Sequence, residues 1–217
     1  MKFSAAIFDL NGTILDDENE YEIAFTEVLK NLGVDVDPNF QHTRGIGVKE
    51  NWPIFRAKYK FKSDKTDEQL ALETQEAYLK QITNISVRPG FDEFLEILKD
   101  NNIHVALATS NTWEVTDKIL DIIGLTGEFE VITTSEEVLH NKPDPDIFTV
   151  TADKLGIDRE DCLVMEDSGS GVTAAREAGM RVIAISDEEN VSSEIEKADK
   201  VVESFSDIKF KEIELLF

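Results

Sequence analysis

The stretch Ile7-Phe8-Asp9-Leu10-Asn11-Gly12-Thr13 decides how the chain is read. The apolar run from Phe3 to Phe8 has the character of a buried parallel strand, and it stops abruptly at a carboxylate. In open α/β sheets ligands bind beyond the carboxyl ends of the strands, so an acid placed there is a candidate nucleophile or metal ligand. A structural turn with Asn11 and Gly12 in left-handed conformations is the alternative for this stretch taken alone.

Working outward, Asp16 and Asp17 supply an N-cap and acidic first turn for a helix over 18–32, whose apolar stripe is Ala24, Phe25, Val28, Leu29 and Leu32. Two more helices follow, over 48–59 and 66–82. Pro53 must sit in the first turn of the former, and Thr66-Asp67-Glu68-Gln69 opens the latter as a capping box. No strand pattern occurs in this block. From Val87 onward short apolar runs alternate with helices in the βαβ manner: strands over 103–108, 130–132, 162–165 and 181–185, and an edge strand at Val201-Val202 after a helix over 192–198. The expected architecture is α/β, with a parallel sheet built from 1–16 and 87–217 and a helical unit over 17–86, joined through Leu15–Asp17 and Ser86–Pro89.

Composition narrows the function classes. A formal charge of -23 disfavours nucleic acid and anionic membrane surfaces as partners. It also means that a phosphate site must invert the field locally, with a cation and a few placed donors. No apolar run approaches the roughly 18 residues needed to span a bilayer, and Met1-Lys2-Phe3 leads directly into the first strand, so the expected location is cytoplasmic. Cys162, the only cysteine, stands beside Leu163 and Val164 and reads as an inert buried thiol. His42, His104 and His140 are far apart in sequence and suggest no zinc-like cluster.

Four strand ends carry chemistry: Asp9; Thr109, followed by Ser110 and Asn111; Lys142 in Asn141-Lys142-Pro143-Asp144-Pro145; and Glu166-Asp167-Ser168. Each has a plain structural explanation when taken singly, as a helix cap, a solvated loop lysine or an acidic helix start. Together, in order and spacing, they resemble the four motifs of the haloacid-dehalogenase-like hydrolases, including Lys-Pro-x-Pro and Glu-Asp-Ser-x-x-Gly. The helical block resembles the cap of the β-phosphoglucomutase-like and phosphoglycolate-phosphatase-like subgroup.

That resemblance implies a Rossmann-like core with an inserted all-helical cap, and a Mg²⁺-dependent phosphatase of a small phosphorylated metabolite such as a sugar phosphate. It assigns Asp9 as the nucleophile that becomes an aspartyl-phosphate. Mg²⁺ falls to Asp9, the backbone carbonyl of Asn11, and Asp167 with Glu166 acting through water. Thr109, through its hydroxyl and an amide, and Ser110 meet the phosphoryl oxygens, while Lys142 neutralises charge on nucleophile and phosphoryl group. Tyr21, Arg44 and Lys49 are candidates for the substrate's non-reacting part. The expected partner is a small molecule, with the chain a monomer or, alternatively, a homodimer.

The chain departs from the family pattern at Asn11, where the second Asp of the first motif acts as general acid and base. An amide exchanges no proton, so the acid/base contribution of roughly 10² to 10⁴ in rate is missing from this position. Three explanations stand side by side: a site using another acid or activated leaving groups, a binding or regulatory relative with weak turnover, or a substitution that traps a substrate. A phosphosugar mutase is a further alternative. Tyr21 and Lys49-Glu50, where mutase-like relatives carry histidine and arginine, count against it. Trp52, Phe55 and Tyr59 have the spacing of a helical core face rather than a substrate platform.

Overall fold

A computed structural model describes the chain except Met1, Ser86 and 188–190, and the Asn84 side chain. Six parallel strands form one sheet: β1 (Ala5–Phe8), β2 (His104–Ala108), β3 (Val131–Thr133), β4 (Cys162–Glu166), β5 (Arg181–Ile185) and β6 (Lys200–Val202), in the order β3-β2-β1-β4-β5-β6. The chain grows from β1 outward in one direction and then, from β4, in the other. This order reverses at β1, and the crevice of such a sheet opens at that switch point.

The helices are α1 (Glu18–Asn31), α2 (Val48–Tyr59), α3 (Asp67–Gln81), α4 (Phe91–Asp100), α5 (Trp113–Ile123), α6 (Asp146–Leu155), α7 (Gly169–Glu177) and α8 (Phe210–Glu214). Strand side chains alternate between two layers. Phe8, Leu107, Leu163 and Ile183 face Phe91, Phe94 and Phe205 on one side. On the other, Ala5, Ile7, Ala106, Val164 and Ala184 pack against Ile147, Phe148, Val172 and Ala175. The architecture is the expected α/β one with a parallel, Rossmann-like sheet.

Helices α1 to α3 pack on one another between β1 and α4, around Phe25, Trp52 and Phe55, whose rings meet at 5.1 to 5.9 Å. Trp52 and Phe55 are buried and Tyr59 packs against them, so this aromatic face is core. Leu15 bridges Val87 in antiparallel fashion where the helical insertion leaves and rejoins the sheet. Of the two joining segments, Ser86 lies outside the described residues.

Three local expectations are corrected. Pro53 lies in the second turn of α2, not the first: the helix already begins at Val48, and it continues past the hydrogen bond that the imide nitrogen cannot make. The helix expected over 192–198 is only a 3₁₀ turn, Ile195–Lys197, with Ile195 its buried residue and so little apolar face to hold a longer helix. Asp17 takes the N-cap position of α1, but its side chain does not cap that helix, because it is bonded elsewhere. By contrast, the capping box of α3 forms: the Thr66 hydroxyl accepts from Gln69 N and the Gln69 side chain accepts from Thr66 N.

Candidate active site

The register of the central strands builds the site. Phe8 is level with Leu107 on β2 and Met165 on β4. The next residues, Asp9 and Glu166, therefore leave the sheet side by side, with Asp9 N donating to Met165 O at 3.0 Å. Lys142 reaches between them from its loop: Nζ donates to Asp9 Oδ1 at 2.5 Å and to Glu166 Oε1 at 2.7 Å, and the ammonium lies 5.0 Å from the Phe148 ring centroid. Lys142 and Glu166 are fully enclosed. Burial opposes the charge on Lys142, but the two carboxylates outweigh it and hold the ammonium firmly protonated.

Both Glu166 oxygens are bonded, since the second accepts from Asp167 N, Ser168 N and Ser168 Oγ at 2.8 to 2.9 Å. It is a fixed anchor for Lys142. Asp167 is different: Thr13 Oγ1 donates to its Oδ1 at 2.9 Å, and its other oxygen lies over Gly12. A Cβ at Gly12 would sit 2.2 Å from that oxygen, and the backbone there has φ +79°, so glycine is needed on both counts. Asn11 does not share the left-handed conformation.

Two carboxylates thus hold one ammonium, and a third, Asp167, has no cationic partner among the described residues. Burial pushes the Asp9 carboxyl up to about 7, against the pull of Lys142 and with the push of Glu166. Burial, and then Glu166, Glu18 and Asp9, push Asp167 well above the carboxylate range. This uncompensated negative charge, presented by hard oxygen donors, fits a divalent cation such as Mg²⁺ held by Asp9 and Asp167.

Thr109 is buried at the end of β2. Its own N–H is used by Thr133 O at 3.0 Å, which leaves the hydroxyl, accepting from Asn111 N at 3.2 Å, to meet a ligand. Ser110 lines the pocket and donates to Gly45 O at 3.3 Å.

The Asn11 side chain sits in a network that sequence reasoning did not anticipate. Its Nδ2 donates to Asp17 Oδ2 and, at 3.0 Å, to Tyr78 OH; its Oδ1 accepts from Asn111 Nδ2 at 2.6 Å. Asp17 also accepts from Gly12 N at 3.0 Å and from Tyr78 OH. Burial pushes the Asp17 carboxyl up to about 6, against the hydrogen bonds from Tyr78 and Asn11. The only hint in the sequence was a doublet, Asp16-Asp17, where one cap would suffice. Asp16 instead meets Arg88, which also donates to Gly12 O at 2.8 Å and so ties the returning segment to the nucleophile loop.

The helical insertion closes the pocket. Tyr21 OH donates to Asn111 Oδ1 at 3.0 Å, and its ring stacks on Tyr78 at 3.9 Å. Ser170 Oγ donates to Arg44 O at 3.1 Å, and Asn141 Nδ2 donates to Glu50 Oε1 at 2.7 Å. The pocket wall includes Asp9, Asn11, Thr109 and Ser110 from the sheet side and Glu18, Tyr21, His42 and Asn51 from the insertion. Of the three specificity candidates, Tyr21 is in this wall. Arg44 and Lys49 are not in it: Arg44 is 3.4 Å from Glu18, which is, and Lys49 is paired with Glu68 at 2.6 Å. The three histidines do not meet, although His140 gathers with Asp144 and Asp146 within 4.8 Å on the surface. Burial pushes the Cys162 thiol up to about 12, as an inert thiol requires.

Residues 6–185 match the family model of haloacid dehalogenase-like hydrolases. The chain belongs to that family and is a hydrolase of it. It is 31% identical to a phosphorylated carbohydrates phosphatase of Thermotoga maritima, over 82% of this chain and 83% of that protein. It is 29% identical to fructose-1-phosphate phosphatase YqaB of Escherichia coli, over 85% of this chain and 97% of the relative. Among solved structures, β-phosphoglucomutase from Clostridium difficile superposes with a TM-score of 0.85 at 28% identity, covering 100% of this chain and 97% of that one. Among the described residues no helix is long and apolar enough to cross a membrane.

Proposed function

We propose that the chain is a Mg²⁺-dependent phosphatase of small phosphate monoesters, of the sugar-phosphate kind, working through an aspartyl-phosphate on Asp9. The observation that carries this reading is the Asp9 carboxylate at the floor of the pocket, held by Lys142 at 2.5 Å. The relatives named as carbohydrate phosphatases support it. Bound Mg²⁺ would supply charge screening between two anions that otherwise repel. Asp9, Asp167 and the Asn11 carbonyl would hold it, with Glu166 acting through Lys142.

Asp9 attacks phosphorus through the oxygen not bonded to Lys142, forming a P–O bond as the ester oxygen departs. Lys142 neutralises charge on Asp9 and on the transferring group, and the Thr109 hydroxyl donates to a phosphoryl oxygen. Water then displaces Asp9 from phosphorus. Residues 17–86 act as a cap, excluding bulk water during the transfer.

Position 11 favours a second reading for part of the chemistry. With its amide engaged by Asp17, Tyr78 and Asn111, Asn11 holds the leaving group's surroundings in place but moves no proton. Aryl phosphates, whose leaving groups need little protonation, should be turned over far better than sugar phosphates. The test is Mg²⁺-dependent phosphate release from an aryl phosphate by the unmodified chain and by Asp9→Asn. Loss of at least roughly 10³-fold in Asp9→Asn, and of all release on chelation, is expected. No release by a folded, Mg²⁺-binding chain would instead favour a binding protein for phosphorylated ligands.

A further inference from the structure

Phosphoryl transfer to Asp9 leaves an ester oxygen that needs a proton, and Asn11 does not supply one. Both hydrogens of its amide are already given, one to Asp17 and one to Tyr78, and its oxygen accepts from Asn111. Asp17 is no substitute. It is fully enclosed, it accepts from Gly12 N, Asn11 and Tyr78, and it does not line the pocket. Tyr21 is in the pocket wall, but its hydroxyl donates to Asn111 and burial pushes its ionisation well above the ordinary range.

Besides the nucleophile, one ionisable pair of that wall remains among the described residues: Glu18, at the start of α1, and His42, in the loop before α2. His42 Nε2 stands 3.0 Å from Glu18 Oε2, and Arg44 Nε stands 3.4 Å from the same oxygen, so the carboxylate is occupied. The other ring nitrogen, Nδ1, is buried and has no hydrogen-bond partner among the described residues. The imidazole is also fixed in place. The Phe25 ring lies 5.2 Å from it, and Asn51 fastens its loop to α2 by bonds to Thr43 N, Thr43 O and Gly47 O. Burial and then Glu166 do most to raise the Asp9 and Asp167 carboxyls, and Glu18 adds to both, so the pair lies within electrostatic reach of the reacting centre. An imidazole with one nitrogen against a carboxylate and the other unpaired is arranged to exchange a proton at the free nitrogen.

We propose that His42 is the acid and base that position 11 lacks, with Glu18 as its positioning residue. The proposal rests on the reading of the pocket as a phosphate-ester site. As an Asp9 oxygen bonds to phosphorus and the bond from phosphorus to the ester oxygen breaks, the imidazolium gives its Nδ1 proton to that oxygen, which departs as the alcohol. In the second step the oxygen of water bonds to phosphorus as the bond to Asp9 breaks, and the neutral imidazole takes the water's proton. The ring is then an imidazolium again, and no further reactant is needed.

The test compares phenyl phosphate with 4-nitrophenyl phosphate, esters of similar shape whose leaving oxygens differ in how much they need a proton. The quantity read is the kcat/KM of the nitro ester divided by that of the plain ester, with Mg²⁺ present, because kcat/KM reports the step that frees the leaving group. His42→Gln keeps a donor able to face Glu18 and loses the transferable proton, so it should raise that ratio by at least about tenfold. Glu18→Gln leaves the ring its proton but removes the carboxylate that orients it, and should raise the ratio by about threefold. General damage to the fold lowers both esters together and leaves the ratio where it was. If His42→Gln does not fold, the ratio in Glu18→Gln decides.

A ratio unmoved in these variants, with both esters turned over by the unmodified chain, would overturn the proposal and leave the phosphatase reading standing. No release from either ester by the folded, Mg²⁺-binding unmodified chain would sink both.

Discussion

The two walls of the pocket are made on different principles. The sheet wall is charged and tightly bonded: Asp9, Lys142 and Glu166 emerge from neighbouring strand ends or reach them from one loop, and the Lys142–Glu166 pair is shut off from solvent. The insertion wall is mixed, with the aromatic rings of Tyr21 and Phe25 beside Glu18, His42 and Asn51. Chemistry common to many substrates needs a rigid charged frame, whereas choice among substrates needs groups whose bonds are completed only by the ligand. The departure from the family pattern at position 11 falls on the seam between the walls, where Asn11 bonds Asp17 from the insertion's edge and Asn111 from the sheet.

The sharpest way to break the comparison is to remove Lys142. In Lys142→Met two buried carboxylates lose their partner, which should cost about 3–5 kcal/mol of stability as well as phosphate release. For a chain of this length that corresponds to a fall of roughly 10 °C in melting temperature. Calorimetry at neutral pH without Mg²⁺ measures it, and an unchanged melting temperature would contradict the rigid-frame account.

The seam should respond more subtly. Asn11→Asp alone sets a new carboxylate against Asp17, so one of the two must hold a proton or move. Exchanging both, Asn11→Asp with Asp17→Asn, keeps the pairing and places the carboxylate at the pocket. The double variant should therefore release phosphate from sugar phosphates faster than either single variant, by up to the roughly 10² to 10⁴ assigned to acid/base catalysis. Equal rates in Asn11→Asp and the double variant would show that Asp17 does not constrain position 11.

Asp17 also predicts a pH dependence. Its folded value of about 6 lies above the ordinary 3.8, so the folded state binds its proton more tightly than the unfolded chain does. Stability from this group is full below the ordinary value and is lost as pH rises through about 6. The difference in unfolding free energy between the unmodified chain and Asp17→Asn should therefore move against the unmodified chain between about pH 4 and 7. Roughly 1–3 kcal/mol is expected, since each tenfold difference in proton affinity between the folded and unfolded chain is worth about 1.4 kcal/mol. Denaturant titrations of both proteins at the two pH values would measure it, and a constant difference would refute the assignment.

The smallest effect is at the closing loop. A Cβ on Gly45 would come within 2.0 Å of Ser168 Oγ, at a backbone φ of +75°. Gly45→Ala should hold the loop off the sheet and raise KM for phosphate esters several-fold. Stability should change by only about 1 kcal/mol, since the loop lies outside the sheet core. A kcat loss without a KM change would argue that the loop has no part in binding.

Much of this was legible in the chain itself. An apolar strand ending in Asp9, the alternation of strands and helices after Val87, and the capping box at Thr66 each reflect local rules that act within a few residues. They sufficed for the α/β class and the helical block, while the family came from the resemblance of the four strand-end motifs taken together. Asp17 misled for the same reason: a carboxylate before a helix satisfies the local rule for an N-cap, and only the approach of Tyr78, 61 positions later in the chain, turns it elsewhere. The helix expected over 192–198 failed because weak helical periodicity forms a helix only when tertiary packing rewards it.

The sequence by itself determined which groups exist, at what spacing, and hence a parallel sheet whose strand ends carry Asp9, Thr109 and Glu166. Only the tertiary structure decided their partners: that Glu166 is consumed in anchoring Lys142, that Lys49 turns to Glu68, and that Asn11, Asp17 and Asn111 form one network. Parallel register brings residues from separate strands to one level, and burial makes each unmet hydrogen bond costly. Pairings of that kind are settled in three dimensions, among residues that no spacing along the chain connects.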